Sequence, residues 1–99
     1  MFSNDELPEL FQGDLDAEQL DALFADLERG AQVQLVQVRT SSGPSPHDRQ
    51  VTLAEARVLL RQTDTKAVQI RYEFEQQSWC DTLMVLPTGV RLVRTKVSG

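Results

Sequence analysis

The chain has 99 residues, is 40% hydrophobic and 25% charged, and carries a net charge of −5. That length is close to the commonest size of a single domain and that mixture is the globular average, so a second domain, a fibrous repeat and wholesale disorder are excluded; residues 1–99 are read as one domain burying roughly two-thirds of the surface its unfolded chain exposes. One cysteine, Cys80, leaves no internal disulfide to make, and with an acidic start from Met1 to Glu6 and no apolar run of bilayer length, the expected setting is a reducing cytoplasm without membrane insertion.

The charge is unevenly spread. Residues 1–30 hold nine acids against Arg29, a balance of −8, while residues 31–99 hold six acids against nine bases, a balance of +3. An acidic N-terminal module joined to a mildly basic body is expected to neutralise itself in part.

In chain order, residues 1–13 lack a strong pattern and are read as a loosely ordered arm. Asp16 followed by Gln19 forms a capping box, Leu15 and Leu20 a staple, and Gly30 a left-handed stop, which together predict a helix from about Ala17 to Arg29. Its Leu20, Leu23, Phe24 and Leu27 recur at helical spacing and present one apolar stripe. Residues 31–40 are β-rich, with an alternation that slips at Leu35 and Val36, the sign of a bulge or of a strand covered on both faces. The Gly/Pro/Ser cluster that follows predicts a flexible loop over 41–50. Thr52 and Glu55 make a second capping box, and Leu53, Ala56, Leu59 and Leu60 define a short helix ending near Gln62.

The last third carries the strongest signal. Val68, Ile70, Tyr72 and Phe74 alternate with Gln69, Arg71, Glu73 and Glu75, a period of two that marks a half-buried strand. A turn at Gln76 and Gln77 pairs Phe74 with Trp79, Tyr72 with Asp81, Ile70 with Leu83 and Val68 with Val85. A three-residue loop at Pro87, Thr88 and Gly89 then pairs Leu86 with Val90, Met84 with Leu92 and Thr82 with Arg94. The fold class is therefore α+β: two amphipathic helices on a mainly antiparallel sheet of about four strands, in the order α-β-α-β-β-β and ending in a β-meander. In this register one sheet face holds Val68, Ile70, Tyr72, Phe74, Trp79, Leu83, Val85 and Val93 as the core. The other holds Arg71, Glu73, Cys80, Thr82, Arg94 and Lys96 beside an apolar cluster of Met84, Leu86, Val90 and Leu92.

Most specific chemistries fail on their own requirements. Asp14, Asp16 and Glu18 have the spacing of a calcium loop, but Gln19 stands where its turn needs Gly and Ala25 where it needs a bidentate Glu. His47 and Cys80 are the only His and the only Cys, so a zinc site could at most be completed by carboxylates; as a Cys-His couple they lack an orienting third group. No phosphate loop, dinucleotide glycine pattern or nucleophile elbow is present. Asp81, placed on the apolar face between Tyr72 and Thr95, must be hydrogen-bonded or able to take up a proton. It is read as structural, with an enzyme subunit using Asp81 as a third-ranked alternative.

What remains is the outer sheet face, where aliphatic side chains rimmed by arginine fit a protein contact. The leading expectation is a non-enzymatic accessory or regulatory module, without cofactor or metal, that binds a protein partner or itself through Arg71, Thr82, Met84, Leu86, Val90, Leu92 and Arg94. The same reading leaves open that the acidic first helix docks on the Arg71 and Arg94 face. Nucleic-acid binding through Arg71, Arg91 and Arg94 ranks second, opposed by the overall acidity and by aromatics that point to the other face.

Overall fold

The computed structural model describes residues 10–40, 49–62 and 64–97. Its elements are β1 (Leu10–Leu15), α1 (Ala17–Gly30), β2 (Gln32–Thr40), β3 (Arg49–Gln50), α2 (Leu53–Leu59), β4 (Thr65–Phe74), β5 (Gln77–Leu86) and β6 (Gly89–Lys96). The strands form one antiparallel sheet in the order β1-β6-β5-β4-β2-β3. The α+β class with two helices therefore stands, with the four expected strands joined by β1 and the two-residue β3.

Both helices begin as their sequences dictate. Asp16 Oδ1 accepts from the Gln19 amide at 2.7 Å and the Gln19 side chain accepts from the Asp16 amide at 2.9 Å; Thr52 and Glu55 repeat the exchange at the head of α2. Each box satisfies two amides that the first helical turn leaves without partners. The end of α1 differs from expectation. Gly30 is its last helical residue and does not take a left-handed conformation; instead Ala31 caps in an extended conformation, its amide donating to the Leu27 carbonyl.

Two further segments depart from the sequence reading. Residues 10–13, expected in a loose arm, belong to β1, which pairs along β6 from Leu10 opposite Thr95 to Leu15 opposite Val90. Arg49 and Gln50, expected in a flexible loop, form β3 against Val38 and Gln37; the rest of the expected arm and loop lies outside the described residues. The slip in β2 is a bulge: Val33 faces Tyr72 and Leu35 faces Arg71, so Gln34 is one residue too many and the apolar set changes from odd to even numbering across it.

Between β1 and β2 lie three strands, a separation of about 19 Å at the usual strand spacing. The 14 residues of α1 span about 21 Å, enough to cross the sheet from one strand to the other. Phe24 and Leu27 of α1, with Ala56 of α2 and its C-cap Leu60, are buried against Val36, Val38, Val68, Ile70, Tyr72, Trp79, Leu83 and Leu92 in one cluster. All the buried aliphatics of that core lie on the same sheet face. No helix among the described residues is long and apolar enough to cross a membrane.

The two C-terminal hairpins decide what each face shows. Glu75 and Gln76, both with positive φ (50° and 67°), close the first as a two-residue loop, the conformation whose twist matches the flanking strands. The expected turn lay one residue later. Correcting it moves each pairing by two residues, to Phe74 with Gln77, Tyr72 with Trp79, Ile70 with Asp81 and Val68 with Leu83, and every side chain keeps its face. The second hairpin is different. Its loop is Pro87 and Thr88, with Gly89 already in the strand opposite Leu86, and the pairing is one residue from the expected one. A one-residue slip turns the whole strand over. Val90, Leu92 and Arg94 face the helices, opposite Val85, Leu83 and Asp81, while Arg91, Val93 and Thr95 face outward, opposite Met84, Thr82 and Cys80.

Candidate functional site

The outer face of the sheet is built by alternation alone. β2 contributes Leu35, Gln37 and Arg39; β4 contributes Ala67, Gln69 and Arg71; β5 contributes Cys80, Thr82 and Met84; and β6 contributes Arg91, Val93 and Thr95. None of these belongs to the helix-covered core, whose members sit at the intervening positions. Met84 is 41% exposed, the largest exposed apolar side chain of the sheet among the described residues, and Leu35, Ala67, Leu86 and Val93 are half-buried. A shallow hollow lies between strands here, lined by Gln37, Arg39, Ala67, Gln69 and Thr82.

Of the seven residues expected on this surface, Arg71, Thr82, Met84 and Leu86 are there. Val90, Leu92 and Arg94 are not: Val90 packs against the core, Leu92 is 4% exposed within it, and Arg94 is buried beneath the helices. The reason is the β6 register, which exchanges them for Arg91, Val93 and Thr95. The same exchange separates the three arginines of the nucleic-acid alternative. Arg71 and Arg91 remain on the outer face, Arg91 Nε donating to Asp14 Oδ1 of β1 at 2.9 Å, and Arg94 is on the opposite one.

The acidic helix does not cover the outer face. α1 lies on the core side, where Asp21 accepts from Arg57 of α2 at 2.9 Å and has Arg61 at 3.8 Å. These contacts, with Asp14 to Arg91, account for part of the charge asymmetry; as exposed pairs each contributes about 1 kcal/mol or less. The acids with calcium-loop spacing are spent elsewhere: Asp14 in β1, Asp16 as the cap, and Glu18 in the first turn, where its charge complements the helix dipole. No group of three or more His, Cys, Asp or Glu side chains able to hold a metal occurs among the described residues; His47 lies outside them.

On the core face sits an arrangement of higher specificity. Asp81 has no exposed surface, and its carboxylate accepts Arg94 Nε at Oδ1 and Arg94 Nη2 at Oδ2, both at 2.8 Å, and the Tyr72 hydroxyl at Oδ1 at 2.9 Å. The guanidinium fork matches the carboxylate two for two, the geometry in which such hydrogen bonds are strongest. Burial, with the adjoining Asp81 charge, pushes the Tyr72 hydroxyl far above its ordinary value, with Arg94 acting in the opposite direction. Burial alone would pull Arg94 down, but the Asp81 carboxylate outweighs it and the guanidinium is held above its usual range. The carboxylate thus has no exposed surface and accepts three hydrogen bonds from two side chains.

Sequence reasoning placed Asp81 on the apolar face but paired it with Thr95. The missed signal was in the chemistry: a buried carboxylate wants a cation, and the neighbouring register supplies Arg94 directly opposite. Cys80, beside Asp81 on the other face, is buried, and burial raises its thiol, with Arg71 opposing the effect. An unexposed thiol with a raised pKa is a poor nucleophile at neutral pH.

Among known proteins, no family model, curated protein or solved structure matches the chain.

Proposed function

We propose that this protein is a small non-enzymatic interaction module, accessory or regulatory in role, that binds a protein partner through the outer face of its sheet. The observation that carries the reading is the segregation of the layers: both helices pack on one face, and among the described residues no helix lies on the other. That open face interleaves Met84, Leu35, Leu86 and Val93 with Arg39, Arg71 and Arg91, the mixture of apolar centre and arginine found at contact surfaces. With three arginines against Asp14 and Glu73 across these strands, the partner surface that fits is apolar and carries carboxylates.

The test uses tagged wild type and three single variants: Met84→Asp and Arg71→Glu on the outer face, and Val58→Asp on α2, where Val58 is 61% exposed. A protein captured by wild type and by the Val58 variant, and lost by both outer-face variants, supports the reading. Loss with Val58→Asp alone, or retention by all three, refutes it. Light scattering during size-exclusion chromatography shows whether the partner is a second copy, through a dimer that Met84→Asp dissolves.

A further inference from the structure

β6 carries no apolar pattern strong enough to choose its own face. Read from Val90, the even positions give Val90, Leu92 and Arg94, and the odd ones Arg91, Val93 and Thr95; each set contains an arginine and at least one aliphatic. The preceding loop does not favour the observed register either, since the preferred two-residue turns need a positive φ that Pro87 cannot adopt, whereas Gly89 suits a three-residue connection. The alternative would exchange Val90 and Leu92 on the core side for Arg91 and Val93; beyond that exchange, what differs between the two registers is Asp81. In the observed one it meets Arg94 squarely, and in the alternative it stays buried opposite Thr95 while Arg94 turns to the outside.

We propose that the Asp81, Arg94 and Tyr72 cluster is a register lock: it selects the β5–β6 pairing and thereby determines which β6 side chains the outer face presents. A single buried polar contact that holds register at some expense of stability has precedent as a physical device, because the misaligned state must bury an unmatched charge. Here β1 hangs on β6 as the sheet's edge, so the lock also sets where β1 and the start of α1 attach. The inference does not depend on what the outer face binds.

The experiment is Asp81→Asn, which leaves the shape but removes the charge that holds Arg94 inward. Methyl contacts by nuclear magnetic resonance report the pairing: in wild type Leu83 faces Leu92, and in the variant the Leu83 contact is expected to move to Val93, with Leu92 meeting Met84. An unchanged Leu83 to Leu92 contact in a folded Asp81→Asn protein overturns the proposal. Should that variant unfold, the exchange Asp81→Arg with Arg94→Asp decides. Recovery of the fold with Leu83 facing Leu92 supports the lock, and failure to recover overturns it.

Discussion

Replacing Tyr72 with Phe removes one hydroxyl and keeps the ring, which is 4% exposed in the core. The lost hydrogen bond runs to a buried carboxylate, so the cost near neutral pH is about 1.5–3 kcal/mol; Asp81 keeps its two bonds from Arg94. The sharper consequence appears at alkaline pH. The folded state holds the Tyr72 proton well above the ordinary value, whereas the unfolded chain releases it near pH 10. The contribution is therefore fully present below about pH 10 and declines above it, by about 1.4 kcal/mol between pH 9 and pH 11. Over that interval the stability gap between wild type and Tyr72→Phe should narrow by the same amount, since the lysines, arginines and Cys80 are common to both. Urea denaturation followed through the fluorescence of Trp79 measures the gap. Because the chain has one tyrosine, tyrosinate absorbance reads Tyr72 directly and should appear only with unfolding. A constant gap, or tyrosinate in the folded protein at pH 10, would refute the reasoning.

Other outcomes follow from the same contacts. Arg94→Met strands the buried Asp81 carboxylate with Tyr72 alone and should cost about 3–5 kcal/mol, most of which the double change Asp81→Leu with Arg94→Met restores; equal losses in the single and double variants by denaturant titration would contradict this. Thr52→Ala removes the α2 cap and should cost about 1 kcal/mol, visible as a lower denaturation midpoint. Gln76→Gly relieves a left-handed residue that costs about 1–2 kcal/mol in an L-amino acid, and part of that should return as a higher melting temperature in calorimetry.

Local chemistry was legible at once. Both capping boxes, the helical stripes and the two faces of β4 depend on residues within a few positions of one another, and each is found where the sequence places it. The turn misplaced by one residue in the first hairpin did no harm to the faces, because two-residue shifts preserve the pleat. Three of the seven residues of the expected contact surface failed for the complementary reason: one residue of loop length inverted β6 and carried Val90, Leu92 and Arg94 into the core side.

Composition and periodicity by themselves determined an α+β chain with two capped helices, a strand whose alternation slips at Leu35 and Val36, and a C-terminal meander whose inner face is Val68, Ile70 and Tyr72; that the slip is a bulge came from the pairing with β4. Tertiary structure alone decided the rest. Leu10–Leu15, with its Gly13 and Asp14, has little strand character of its own and becomes β1 because β6 offers it hydrogen-bonding groups along an open edge. The acidic helix is drawn to the core side by Phe24 and Leu27 rather than to the arginines by charge, burial outweighing exposed ion pairs. Alternation fixes which residues share a face within a strand, but the face itself is chosen across strands, where Asp81 finds Arg94.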